Sequence, residues 1–266
     1  MTGLACFQDF GVTLGQALDK TEGNKVPLIL QDGTQLDIKV SGRFPITSYS
    51  RFILKAIMLD ELAGTSVCDF GCGCGVLSLV CAYRGALAVH AIDVDSEAIG
   101  LCGENAKYLR LDQIHCIHRR TEETPGQSAE NETEYDWIYS NPASLPAPQS
   151  DDTRFYSGGS FGVSMSEDLI RFAKDRLKPS GCLTFLITSL SDFSHILDVL
   201  DENNLSVEIE QVLQLKFREH YYGLMTDIQT LRDHHLNFFF KNDGDLFELV
   251  YLVRARRIRT KSRQRS

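Results

Sequence analysis

The chain has 266 residues, 43% of them hydrophobic, and a formal net charge of −9. That suffices for one large core with a small appendage, and the absence of any apolar run of about 18 residues argues against a membrane span. No basic segment followed by an apolar one opens the chain, so a secretory signal is not expected and a cytoplasmic protein is.

Residues 4–18 place Leu4, Phe7, Phe10, Leu14 and Leu18 at helical spacing, which predicts an N-terminal helix. Two alternating runs, 26–30 and 35–40, flank Gln31-Asp32-Gly33-Thr34, a strong hairpin signal. Residues 1–45 therefore read as a small helix-and-hairpin cap. An amphipathic helix through Leu62 follows, started by a Ser or Thr cap. From Ser66 the pattern turns to strands (66–70, 88–93, 114–118, 135–140) separated by helices at about 76–84 and 96–109 and by a polar loop at 121–134. A Pro-, Ser- and Gly-rich loop runs to about 165. Helix 167–177, strand 181–188, helix 192–203, strand 206–217, a helical insert at about 221–234 and a last strand at 246–254 complete the order. Strands alternating with helices predict an α/β doubly wound, mostly parallel, seven-stranded sheet over residues 46–255.

The charges are unevenly spread. Arg254, Arg256, Arg257, Arg259, Lys261, Arg263 and Arg265 crowd the last thirteen residues, and residues 256–266 read as a solvated basic tail. What remains is strongly acidic and repels phosphate backbones, so nucleic acid is not an expected partner. Eight cysteines lie in apolar contexts, such as Cys68, Cys81, Cys116 and Cys182, as reduced core residues do. Cys72-Gly73-Cys74 lacks the second ligand pair that a structural zinc needs, so no metal is expected. His234-His235 likewise has no ligand spacing and reads as a solvated helix end.

Chemistry concentrates at Val67-Cys68-Asp69-Phe70-Gly71-Cys72-Gly73-Cys74-Gly75, a strand running into three alternate glycines before a helix. Such a turn brings backbone close to a nucleotide-like ligand. Asp93 ends the next strand, 18 residues beyond Gly75, where a carboxylate can bind both ribose hydroxyls of an adenosine. A nicotinamide cofactor fits the same frame. The GxGxG spacing, the preceding Asp69 and the later Asn141-Pro142 favour S-adenosyl-L-methionine (SAM), with Asp69 near the methionyl ammonium and Asp93 near the ribose.

Asp69-Phe-Gly-Cys-Gly-Cys-Gly75, Ala91-Ile-Asp-Val-Asp95, Asn105-Ala106 and Ser140-Asn-Pro-Ala-Ser-Leu-Pro146 resemble the class I SAM-dependent methyltransferases. The resemblance is strongest to the branch of the release-factor glutamine N-methyltransferases and their small-molecule relatives, and covers roughly residues 44–255. Phe44-Pro45-Ile46-Thr47-Ser48 resembles that branch's lead into the core, and Gly158-Gly159-Ser160-Phe161-Gly162 its glycine-rich stretch. The resemblance implies a SAM site of Thr47, Asp69, Gly71, Cys72, Gly73, Asp93, Val94 and Asn141. The branch's motif is Asn-Pro-Pro-aromatic: Asn and the first Pro carbonyl accept from an NH₂ group, and the aromatic stacks on a planar acceptor. Asn141 and Pro142 keep the first half, whereas Ala143 and Ser144 replace the second. A stacked amide or nucleobase acceptor is thereby disfavoured.

Three readings follow. The leading one is transfer of a methyl group to nitrogen or oxygen of a small molecule, amino acid or peptide side chain, with Asn141, Pro142 and Ser144 at the reacting end. The second is cyclisation of SAM itself, its α-amine attacking its γ-carbon to give an azetidine amino acid and methylthioadenosine. The third is SAM binding without turnover. Tyr156 and Phe161 beside the glycine-rich loop, Ser189 and Ser191 after the fifth strand, and His220 and Tyr221 in the insert are candidate substrate contacts. Loop or core packing is the plain alternative for each.

Overall fold

The computed structural model describes residues 12–14, 25–119, 133–148 and 156–258. The described residues begin with a three-stranded antiparallel sheet: β1 (Val12–Leu14), β2 (Lys25–Leu30) and β3 (Gln35–Lys39). Residues 12–14 thus pair with β2 as a strand where a helix was expected, because Val12-Thr13-Leu14 lies in register with Leu28–Leu30. The rest of residues 4–18 lies outside the described residues. The β2–β3 turn forms as Asp32-Gly33 predicts, with Gly33 at φ +84° and Asp32 Oδ1 accepting from the Thr34 N–H at 2.9 Å.

Helix α1 (Ser48–Leu59) begins at Thr47, whose hydroxyl accepts from the Ser50 N–H in a capping box. It buries Phe52, Ile53, Leu54, Ala56 and Ile57. Then come β4 (Ser66–Phe70), α2 (Val76–Tyr83), β5 (Ala88–Asp93), α3 (Ser96–Tyr108), β6 (Ile114–His118) and β7 (Tyr135–Ser140). After them follow α4 (Ser164–Arg176), β8 (Leu177–Thr188), α5 (Phe193–Glu202) and β9 (Leu205–Lys216). A 3-10 turn (Glu219–Leu224), α6 (Met225–Asp233), β10 (Phe240–Asn242) and β11 (Asp245–Arg257) end the described chain.

The main sheet runs β6-β5-β4-β7-β8-β11-β9; the first five strands are parallel, and β11 lies antiparallel between β8 and β9. The short β10 adds an unexpected hairpin partner to β11, drawing Phe240 into the sheet opposite Phe247. Helices flank both faces. The hairpin, α1, α2 and α3 share one apolar cluster, and α4 and α5 form another. The chain winds from β4 outward to β6, then returns to the other side of β4 with β7. The crevice beyond the carboxyl ends of β4 and β7 is therefore a topological switch point, the place where open α/β sheets bind ligands.

Several boundaries moved. Strand β8 starts at Leu177, four residues early, and bulges against β7 between Tyr135 and Trp137. A Cβ on Gly181 would lie 2.7 Å from the Tyr135 carbonyl oxygen, so only glycine lets the two strands close there. The helical insert is split into a 3-10 turn and α6. Arg256 and Arg257, expected in a tail, are the last residues of β11, and residues 259–266 lie outside the described residues. No helix among the described residues is long and apolar enough to cross a membrane.

Candidate active site

The glycine turn is shaped by its backbone. Gly71, Gly73 and Gly75 sit at φ +78°, +53° and +83°. The Gly71 and Cys72 N–H groups both donate to the Ile92 carbonyl, folding the turn over the tip of β5. Asp93 continues that contact. Its Oδ2 accepts from the Gly73 N–H at 3.0 Å and its Oδ1 from the Asp95 N–H at 2.9 Å. Burial holds Asp93 above the usual carboxylate range, with these amides pulling the other way. Each oxygen keeps a second lone pair, as binding to a pair of ribose hydroxyls requires.

Asp69 is 1% exposed and is the penultimate residue of β4, at the crevice end of the strand. Its Oδ2 accepts from the Ser78 N–H at 3.0 Å and the Ser78 hydroxyl at 2.6 Å, capping α2 across space. Its Oδ1 is buried and has no hydrogen-bond partner. Burial pushes Asp69 up to about 6, against the Ser78 hydrogen bonds and with a smaller push from Asp93. An orphaned buried carboxylate oxygen is costly unless a cation or donor meets it. The methionyl ammonium of SAM is such a donor, and the glycine turn with Asp93 suits its nucleoside end, so the residues present fit this cofactor.

Two side chains pack against the glycine turn: Met165, which no motif announced, and Phe44, the first residue of the motif that leads into the core. Met165 Sδ lies 3.3 Å from the Ala143 nitrogen, accepting its N–H, and Met165 Cε would sit 2.6 Å from a Cβ on Gly71. Met165 thus links the glycine turn to the Asn-Pro segment. Phe44 lies over Gly73, and Arg43 beside it pairs with Asp95 at 2.7 Å and with Glu97. Asn105 fastens the frame from behind: its Nδ2 donates to the carbonyls of Cys74 and Lys39, both at 2.9 Å. Cys72 and Cys74 are buried free thiols packing the turn, and burial pushes Cys74 up to about 12.

Asn141 follows β7. Its Nδ2 donates to Ser50 Oγ at 3.4 Å, which turns its Oδ1 away as an acceptor. Pro142 and Ser144 are buried, the Ser144 carbonyl accepting from the Ser191 hydroxyl at 2.9 Å. Gly162 makes this approach feasible, since a Cβ there would lie 2.5 Å from the same carbonyl oxygen. The glycine-rich stretch runs alongside residues 145–147, with Gly158 N–H donating to Leu145 and Ala147 N–H to Gly159.

Other expected residues stand further from the crevice or are already engaged. Thr47 is spent on the α1 cap, although the same Ser50 that it caps reaches Asn141. Val94 is 56% exposed, its carbonyl 3.0 Å from His118 Nε2. Ser189 is stitched to β11 through Leu249 at 2.7 and 3.0 Å. Tyr156 stacks obliquely on His220 at 5.4 Å, and burial and the Arg218 charge hold His220 below the usual histidine range. Tyr221 is 1% exposed, its hydroxyl 3.0 Å from that of Tyr49.

Residues 46–211 match the model of the methyltransferase small domain. A ribosomal protein L11 methyltransferase of Methylococcus capsulatus is 45% identical over 71 residues, 27% of this chain and 23% of that protein. A protein of Methanocaldococcus jannaschii, provisionally named a protein N5-glutamine methyltransferase, is 27% identical over 166 residues, 60% of this chain and 81% of that protein. The chain therefore spans less than a quarter of the first relative and about four fifths of the second. The crystal structure of a ribosomal protein L11 methylase from Lactobacillus delbrueckii subsp. bulgaricus superposes with a TM-score of 0.51 at 18% identity, covering 91% of this chain and 92% of that one.

Proposed function

The chain belongs to the methyltransferase small domain family, and from that membership we propose that it uses SAM to methylate a nitrogen of an amino acid, a small molecule or a peptide side chain. SAM supplies an activated sulfonium methyl, so the protein has to bind, exclude water and aim. Asp69, the turn at Gly71 and Gly73, and Asp93 hold the donor in this reading. Asn141 aims the acceptor.

The observation that supports the reading most is the orientation of Asn141. With Nδ2 tied to Ser50, its Oδ1 is left to accept an N–H of the incoming nitrogen, which directs the lone pair of that nitrogen forward. Orientation of this kind can supply about 7–11 kcal/mol of a displacement barrier. Residue 144 is a serine that offers no ring face, so the acceptor need not be flat. The relatives' names point to proteins as acceptors, and a peptide side chain remains within the proposal for that reason.

The test is incubation with SAM alone and then with pooled amino acids and peptides, followed by mass spectrometry of the nucleosides. S-adenosylhomocysteine (SAH) formed only when an acceptor is added supports methyl transfer. Methylthioadenosine formed from SAM alone would replace it with cyclisation of the donor.

A further inference from the structure

Beyond the donor crevice, on the side where α1 meets the insert, lies a second polar cluster. Glu248 is fully buried on β11, inside the apolar run Leu246–Val253. Its Oε2 accepts from the Tyr49 hydroxyl at 2.7 Å and from the Thr188 hydroxyl, and the Tyr221 hydroxyl meets Tyr49 at 3.0 Å. Its Oε1 is buried with no hydrogen-bond partner. Arg218 reaches the same tyrosine from the insert, its guanidinium 4.8 Å from the centre of the Tyr49 ring. Its Nη2 is also buried without a partner. Among the described residues, then, one phenol carries a carboxylate at its hydroxyl and a guanidinium on its face, each with one buried polar atom that has no hydrogen-bond partner.

Burial holds Glu248 above the usual carboxylate range, while the three hydroxyls and Arg218 favour its charge. A polar atom held away from water without a partner is costly, and more so when charged. Two such atoms of opposite demand, on side chains that both meet Tyr49, describe a ligand by complement. A bare amine would satisfy Glu248 and leave Arg218 facing another cation. A bare carboxylate would do the reverse. A group carrying both charges fills both and leaves the subsite neutral.

The position suits an acceptor. Val250 pairs with Thr188 at the carboxyl end of β8, so Glu248 projects at the ligand-binding end of the sheet. Tyr49 neighbours Ser50, the residue that holds Asn141.

We propose that Glu248 and Arg218 form an acceptor subsite that binds the zwitterionic α-amino acid group of a free amino acid, ammonium on Glu248 and carboxylate on Arg218. This rests on the methyltransferase reading and narrows its acceptor class. The subsite holds the invariant end of the amino acid, leaving the side-chain nitrogen to extend toward Asn141.

The experiment is calorimetric titration of the intact protein. SAH is titrated alone first, then each of the twenty L-amino acids into the SAH-bound protein. At least one amino acid is expected to bind, with its N-acetyl and carboxamide derivatives about 10-fold to 100-fold weaker, since each derivative removes one pole. Glu248→Gln, which keeps the shape, and Arg218→Met, which keeps the packing, are each expected to weaken that amino acid by a similar factor with SAH affinity unchanged. Unchanged SAH binding also shows that each variant is folded. If no amino acid binds while SAH does, the subsite assignment falls and methyl transfer stands. If SAH fails to bind, both fall. Equal weakening of SAH in Glu248→Gln would assign the subsite to the donor's own amino acid end and overturn the acceptor role. Binding of a capped peptide as tight as that of the free amino acid would overturn it as well.

Discussion

At the scale of single residues, Asp69 has the strongest consequence. Its carboxyl is pushed from 3.8 to about 6 by burial, so the native protein binds a proton there more readily than the unfolded chain. Stability then falls as pH rises from about 4 to about 6, and a shift of this size corresponds to about 3 kcal/mol. Asp69→Asn removes the buried charge while keeping an oxygen for Ser78. It should raise stability in urea by up to that amount at pH 7 and by nothing at pH 4; an equal gain at both values would refute the ionisation argument. A donor ammonium on Oδ1 favours the charged form, so SAM binding should weaken as pH drops below about 6, read by calorimetry. Asn141 acts differently. Asn141→Ala removes one preorganised acceptor and should lower kcat by about 10²–10³ while the SAM Kd changes little. Equal losses in both would place Asn141 in donor binding alone. These residues were legible because their meaning is local: a carboxylate before a glycine turn, another at a strand tip, an amide after a strand. Glu248, Arg218 and Tyr49 were not, since 199 residues separate Tyr49 from the carboxylate that it binds. The one local sign was an acidic residue inside an apolar strand.

At the scale of elements, the periodicities found the alternating strands and helices from β4 onward, and the sheet followed from them. They failed where tertiary contacts set the structure. Residues 12–14 have helical spacing with their neighbours but complete the edge of β2, and β10 exists only because β11 offers it a partner. The contact between the glycine turn and α3 belongs to this scale. Gly75 sits at φ +83°, and a Cβ there would lie 2.5 Å from Cys102 Sγ and 3.3 Å from Cys102 Cα. The backbone atom cannot give way without moving α3. Gly75→Ala therefore combines left-handed strain with overpacking, each costing about 1–3 kcal/mol. It should lower Tm by several degrees and displace Asp93, which faces the same turn. A second substitution, Cys102→Ala, should recover only part of the loss, because it relieves the sulfur contact and leaves the strain. Full recovery would show that strain in the turn is negligible.

For the molecule as a whole, α1 is the member that joins the stability of the sheet to the geometry of the crevice. Its first turn presents Tyr49 and Ser50 to the site, and its C-cap, Asp60, is anchored in the opposite direction. Asp60, 8% exposed, accepts from the Tyr139 hydroxyl at 2.6 Å and pairs with Arg254 at 2.9 Å. Arg254 in turn pairs with Glu210 of β9 at 2.5 Å and lies over the Trp137 ring. By sequence, Arg254 reads as the first cation of a basic run; in the fold it is the cation that bridges Asp60 and Glu210 at a junction of α1, β7, β9 and β11. A buried pair is weak evidence for net stability, but removing one partner strands the other. Arg254→Met should cost about 3–5 kcal/mol in urea, because Asp60 is left as an unpaired buried charge. The double variant Asp60→Asn with Arg254→Met should return much of it, since the stranded charge is gone and the methionine still packs on Trp137. The loss should barely respond to salt, as screening does not reach a buried pair. The single variant should also weaken the grip of Ser50 on Asn141 by loosening the far end of the same helix, so kcat should fall in Arg254→Met and recover with stability in the double variant. Stability lost without a change in kcat would separate the two ends of α1 and show that the site is held by its cap alone.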